Sequence, residues 1–461
     1  MTSAITNQFR KSLLDDLKAD IDGSSSNYYV ALSKGDAYNT SGLINIAPSD
    51  VGSNYAQTQI RQTLQSVKTL ANASYVVPTV NWVSGVIYNH WDDNNHALTN
   101  FYAINSFNDV FICVGVGKLA DGTINASVDE PTQTFQRSSS LGGGYASDGK
   151  TFELGDGYRW RFMYRISNVA YATYRTSNWT PAKVVVSAAG LIVEENAQKT
   201  LQDGSVGGEI IGVEIVNKGT TVTSVPTITV TGNGSLAAFT VDISNGSVTR
   251  VLVDTDANTG DYLHGSGYDY ADLKLSVGDA VLRPILSPKL GVHANAVKTL
   301  KSNALMLQTD FVANENESIR IENDFNQVAL FKNVNAYGTS TPFSANTGSA
   351  LKGLAVTVSN GSFESDDLFN NDAGTATAKV YYHDTVDGKL YYWQDEQTGF
   401  GTFSSTDGLS NLTRTGIAGT SALLNPDIDV YSGDIMYINN VNEITRASNQ
   451  TEDIRIVIQL R

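Results

Sequence analysis

From Ile5 the apolar positions recur every four residues, through Phe9, Leu13, Leu17 and Ile21, with Lys11, Asp15 and Lys18 between them. Apolar side chains three to four apart share one face of a helix, so the spacing predicts an amphipathic helix that stops near Gly23. Tyr28 to Leu32 reads as a short strand. A second helix is expected from about Gln57 to Ala71, where Ile60, Leu64, Val67 and Leu70 or Ala71 form one stripe and Asn54 stands as its cap.

Beyond that point the period falls to two. Asp109 to Val116 is a dense strand holding Cys113, and Tyr158 to Ile166 is the clearest strand of the chain. Tyr158, Trp160, Phe162, Tyr164 and Ile166 share one face, and Arg159, Arg161, Met163 and Arg165 share the other. Three arginines on one face predict a solvated or partner-facing surface, with many carboxylates in the chain to meet them.

From Gly204 to about Leu282 the residues shift to Val, Ile, Thr, Gly and Asn, with strands expected at Ile210–Val216, Thr227–Thr231, Ala238–Ile243 and Val248–Val253. A weak internal echo links Val213–Ile215, Gly219 and Pro226–Ile228 to Val251–Val253, Gly267 and Ala271–Leu273. Two copies do not make a solenoid, so an inserted β-domain is the reading. Residues 351–425 have the same character, with a hairpin expected between Ala376–Tyr382 and Lys389–Trp393 across Asp387-Gly388. Asp434–Asn439 and the alternating Asp453–Leu460 close the chain as strands.

The expected fold is therefore β-dominated α+β and multidomain, with two N-terminal helices, mixed or antiparallel sheets and two β-rich inserted regions. An N-terminal α+β core covers 1–203, an inserted β-rich domain 204–282, a return to the core sheet 283–350, a second β-rich insertion 351–425, and C-terminal strands completing the core 426–461.

Composition narrows the function. The chain has 461 residues and a net charge of −16, against the excess cation that nucleic acid or an anionic membrane surface demands. Only 17% of residues are charged, and 40 Gly and 22 Tyr fit turn-rich β structure. A single cysteine excludes an intrachain disulfide and a Cys-cluster zinc site. No signal peptide or apolar run of spanning length is seen, so folding in a reducing cytoplasm, or release from one by lysis, is expected.

Several motifs invite chemistry. Gly144-Tyr-Ala-Ser-Asp-Gly149-Lys150-Thr151 matches the phosphate-loop pattern, but no buried strand precedes it, no helix pattern follows it, and Asp148 would place negative charge in the cradle. It reads as a glycine-rich surface loop. His90-Trp-Asp92-Asp93-Asn-Asn-His96 gathers metal-ligand types without a helical His-x-x-x-His face, and reads as a polar turn around an anchoring Trp91. Asp254, Asp256 and Asn258 open a segment like a calcium loop, but Gly260 comes one position late and Gly265 stands where a bidentate Glu is required. They are weak metal candidates in what reads as an Asx-rich hairpin loop. The acid pairs Asp129-Glu130, Glu194-Glu195 and Asp366-Asp367 point oppositely if they lie on strands, and the five histidines show no hydroxyl–imidazole–carboxylate spacing. No catalytic residue, cofactor or metal ligand is nominated, and the chain reads as a non-enzyme.

At Gly155-Asp156-Gly157-Tyr158-Arg-Trp160 the sequence resembles the gene-eight baseplate wedge protein family of T-even-like contractile-tailed phages, in which an Asp-Gly-Tyr-x-Trp segment leads an aromatic strand. Three further stretches are similar in order: Thr6-Asn-Gln-Phe9-Arg10; Phe325-Asn-Gln-Val328-Ala-Leu330 with Asn333; and Tyr431-Ser-Gly433-Asp434 through Gln450-Thr-Glu452-Asp453-Ile454. The resemblance implies a non-enzymatic virion subunit, a homodimer contacting other wedge proteins in the tail baseplate. It would be assembled in the host cytoplasm and transmit baseplate rearrangement during tail contraction. Asp156, Gly157, Tyr158, Trp160, Gly433 and Asp434 are its structural anchors. The competing expectation is a receptor- or glycan-binding tail protein, a depolymerase among the possibilities, suggested by the aromatic, Gly-rich β regions.

Overall fold

The computed structural model describes residues 7–23, 27–34, 52–70, 72–119, 121–132, 149–186, 189–313, 315, 318–321, 323–447 and 449–460. The chain is a β-rich α+β protein with several sheets and a closed barrel. It forms two compact units, one of Met1–Leu14, Ser74–Met306 and Val457–Arg461, the other of Asp15–Ala73 and Leu307–Ile456.

The first helix is present, Asn7–Asp22, but its buried face differs from the expected stripe. Leu14 is buried, Leu17 and Ile21 are half-buried, and Phe9 and Leu13 are exposed. A strict four-residue spacing advances about 40° per step around a 3.6-residue helix, so the stripe winds away from the surface it starts on. Ile5 lies outside the described residues.

The second helix ends much sooner than its periodicity predicts. It spans Asn54–Gln62, and Leu64–Thr69 continues as a strand. Ser53 occupies the cap position without a side-chain bond, and Asn54 is already helical. Leu64 and Val67 are buried in a five-stranded antiparallel sheet, where their strand lies between Tyr28–Ser33 and Thr347–Ser349. Two flanking strands satisfy its backbone along both edges, and that tertiary demand overrides the helical spacing.

In the same unit, Asp324–Lys332 pairs with Tyr28–Ser33 on one side and Asp434–Thr445 on the other. Tyr29, Val67, Ala329, Phe331 and Ile438 form its core. A second core fills a closed barrel of six strands, Lys352–Gly361, Leu368–Asn371, Thr377–Asp384, Lys389–Trp393, Gly408–Asn411 and Gly416–Leu424. Leu354, Phe369, Leu390 and Leu409 are completely buried inside it. The expected hairpin at Asp387-Gly388 is present, with Asp384 opposite Lys389 and Gly388 at φ +64°.

The other unit centres on a four-stranded antiparallel sheet ordered Tyr102–Ile104, Asp109–Gly115, Arg159–Arg165, Phe152–Glu153. Tyr158, Trp160 and Phe162 pack with Phe111 and Cys113 on one face, but the expected aromatic face breaks after Phe162: a register shift against Val110 and Phe111 puts Tyr164 and Ile166 with Met163, Ile112 and Trp91 in the other core. The strands expected after Gly204 are present as Ile210–Asn217, Ile228–Gly232, Phe239–Ser244 and Ser247–Val253. Ile210–Asn217 pairs with Val281–Leu286, and Phe239–Ser244 with Ser247–Val253. Ile228–Gly232 pairs antiparallel with Ala271–Leu275, so segments from the two echoing halves are joined in one ladder.

Candidate functional site

The arginine face of the Arg159–Arg165 strand is not solvated, contrary to the pattern's expectation. Arg161 is buried and grips Glu209 with both terminal nitrogens, at 2.6 and 2.8 Å. Arg165 holds Asp109 in the same bidentate way, and Arg159 donates to Glu153 at 2.6 Å. The acids that meet these arginines are Asp109 and Glu153 on the two neighbouring strands and Glu209 just before the Ile210–Asn217 strand.

Arg161 also belongs to a small polar network. Its Nε donates to Thr151 Oγ1 at 2.8 Å, and Thr151 Oγ1 lies 2.9 Å from His264 Nε2. His264 Nδ1 faces the Ile210 carbonyl at 3.0 Å, which makes Nδ1 the donor and Nε2 the acceptor from the threonine hydroxyl. Burial first, and the Arg161 charge second, push the His264 imidazole down to about 3, so the ring is neutral near pH 7. Burial acts to raise the Glu209 carboxyl, but the Arg161 guanidinium outweighs it and holds the group below its ordinary value. A hydroxyl beside an oriented imidazole is the beginning of a nucleophilic pair. Here the hydroxyl oxygen also accepts from a guanidinium and both residues are buried, so the arrangement joins strands. The spacing of the histidines did not reveal it, because Thr151 and His264 are 113 positions apart.

The phosphate-loop match divides at Gly149; residues 144–148 lie outside the described ones. Thr151 is followed by strand Phe152–Glu153 instead of a helix. Lys150, the residue that would reach a phosphate, pairs with Asp261 at 2.8 Å. In the calcium-like segment, Asp256 Oδ1 accepts from the backbone nitrogens of Asn258 and Thr259 at 2.7 and 3.1 Å, closing an Asx turn. Asp254 precedes the Thr255–Tyr262 bridge at the mouth of this hairpin. In His90–His96, Trp91 is the anchor, fully buried with Nε1 donating to Thr299 O at 2.8 Å. Asp92 pairs with Arg283, and His96 is exposed. Among the described residues no group of three or more His, Cys, Asp or Glu is placed to hold a metal. None of the acid pairs lies on a strand, so the alternation argument does not apply to them: Glu194-Glu195 opens helix Val193–Asp203, where Glu195 binds Lys183, and Asp366-Asp367 lies in a turn, where Asp367 binds Arg414 and Asp366 binds Lys34.

The anchor residues sit where the chain turns into strands. Asp156 is buried, and its Oδ2 accepts from Ser127 Oγ, Val128 N and Asp129 N at 3.0, 2.9 and 3.1 Å while Oδ1 accepts from Tyr158 N at 3.0 Å. Gly157 completes the turn at φ +79°. Tyr158 and Trp160 are fully buried, stacked with centroids 6.0 Å apart, and Tyr158 Oη donates to Asn125 O at 2.8 Å. In the other unit Gly433 has φ +67° and Asp434 starts the strand that pairs with Lys332. The Arg61 guanidinium donates to the carbonyls of Val430, Ser432 and Gly433, each at 2.7 Å, and clamps that turn. Asn333, trailing its strand at φ 56°, accepts from Asn27 N at 2.9 Å.

One cleft in the first unit is concave and mixed in character, with a volume of about 450 Å³. It is walled by the Ile210–Asn217, Ser247–Val253 and Val281–Leu286 strands and by Lys118 and Arg159. No protein-family model and no curated protein matches the chain.

Proposed function

We propose that the chain is a structural subunit of a contractile-tail baseplate wedge, a non-enzymatic virion protein that acts as a homodimer and contacts other wedge proteins. The observation that supports this reading is where the resembling residues lie. Asp156, Gly157, Tyr158 and Trp160 build one turn-to-strand junction, and Gly433 and Asp434 another, each secured by a buried or part-buried polar clamp. Residues shared for the sake of a framework occupy such positions, because a strand's register is set at its entry turn. The scaffold would carry rearrangement between neighbours when the tail sheath contracts, without binding nucleic acid or membrane.

The decisive experiment is a particle reconstruction of the phage tail with this chain tagged, alongside light scattering of the purified protein at micromolar concentration. Density for the chain in the baseplate beside other wedge subunits, together with a dimer in solution, is the expected result. A monomer absent from the baseplate overturns the proposal. Specific retention on a glycan array would favour the receptor-binding reading instead.

A further inference from the structure

The cleft in the first unit carries charge of the opposite sign to the chain as a whole. Four cations line it, Lys118, Arg159, Arg250 and Arg283, against three carboxylates, Asp92, Glu153 and Glu214. Glu153 is taken by Arg159 at 2.6 Å, and Asp92 and Glu214 are both taken by Arg283 at 2.5 Å. Arg250 finds its carboxylate outside the cleft, at Asp242, and donates through another nitrogen to the Lys118 carbonyl at 2.9 Å. That bond holds the Lys118 backbone in place. Among the described residues nothing pairs with the Lys118 ammonium, which is half-buried; burial lowers its proton affinity.

The neighbouring polar group adds no second charge. His90 Nδ1 faces the Trp91 carbonyl and donates to it, and burial keeps the ring neutral. Its Nε2 is buried against Gly212 with no hydrogen-bond partner among the described residues. The rest of the wall is aliphatic, including Val116, Ile211, Val251 and Ile285.

A volume of this size falls in the range of small-molecule sites, which pair apolar walls with a few placed polar groups. One uncompensated positive charge matches one negative charge. A phosphate monoester, with roughly −1.5 to −2 charges, would bring surplus charge into a partly desolvated site. We propose that this cleft binds a small organic monocarboxylate, its head group on the Lys118 ammonium and its apolar body against Val116, Ile211, Val251 and Ile285. The site is independent of the baseplate proposal and stands or falls separately.

The test is calorimetric titration of the full chain with hexanoate, with hexanamide as the neutral isostere and inorganic phosphate as the competing anion. Saturable hexanoate binding is expected, weakened roughly tenfold or more by Lys118→Met, which removes the charge and keeps the stem. Hexanamide and phosphate should bind at least tenfold more weakly than hexanoate. A second measurement leaves the chain unaltered: limited acetylation read by peptide mass spectrometry, with Lys118 expected to be protected by hexanoate and not by hexanamide. Absence of hexanoate binding, equal binding by Lys118→Met, preferential binding of phosphate, or no protection of Lys118 overturns the proposal.

Discussion

Arg161 and Glu209 form a two-toothed ion pair across 48 positions of sequence, with both side chains withdrawn from solvent. The pair joins the central aromatic sheet of its unit to the chain entering the Ile210–Asn217 strand. Removing either partner strands the other charge in a poorly solvated place. Arg161→Met and Glu209→Gln are each expected to lower stability by about 3–5 kcal/mol. Urea unfolding of the double variant should show much less than the sum, because no unpaired charge remains.

The His264 imidazole makes stability depend on pH. Its folded value near 3 lies below the ordinary 6.5, so between these values the unfolded chain binds a proton that the folded chain refuses. Stability contributed by neutral His264 is complete above about pH 6.5 and falls as pH drops toward 3, at up to roughly 1.4 kcal/mol per pH unit. Glu209, held below its ordinary 4.5, adds a loss in the same direction at the acid end. Unfolding midpoints between pH 7 and 4 should fall for the native chain and fall less for His264→Gln. Equal slopes would remove His264 as the cause.

Gly157 and Gly433 share a left-handed backbone but not the same surroundings. A Cβ on Gly157 would have its nearest neighbour at 3.5 Å, so Gly157→Ala should cost only the conformational penalty of about 1–2 kcal/mol. A Cβ on Gly433 would stand 2.7 Å from the Lys332 carbonyl oxygen, adding a clash with backbone. Gly433→Ala is expected to be the more damaging substitution in thermal unfolding.

Asp156 gathers four donors on one carboxylate, so Asp156→Ala is expected to cost about 2–4 kcal/mol. Asp156→Asn keeps the size but can accept through only one oxygen, and should fall between. Urea unfolding of the three chains checks the order.

Cys113 is fully buried, and burial pushes its thiol up to about 12. The thiolate is the reactive form, so an aromatic disulfide reagent should leave the folded chain unmodified at pH 8 and label it stoichiometrically in urea. Rapid labelling without denaturant would contradict the strand's placement in the core.

Alternation over Tyr158–Phe162, the turn at Asp387-Gly388 and the closing strands were legible in the sequence because each depends on neighbours within a few positions, whereas the bulge that carries Tyr164 and Ile166 to the opposite core was not. Helix Asn7–Asp22 was legible as a helix, while the face it buries was not. The same limit applies to Leu64 and Val67, whose spacing suits a helix until two flanking strands claim their backbone. Arg161 shows it most clearly. From sequence it sits on a charged strand face, and burial becomes tolerable only because the fold brings Glu209 and Thr151 to it. Lys118 is the converse, lining a cleft whose carboxylates are taken by arginines, Glu214 among them by Arg283. Local periodicity and turn chemistry by themselves determined the β-rich class and the elements with the clearest alternation, while strands such as Ala304–Val312 and Lys352–Gly361 and the helix Val193–Asp203 were not read from it. Pairing, burial and the sign of charge in the cleft rest on contacts across tens to hundreds of positions, and only the tertiary structure decided them.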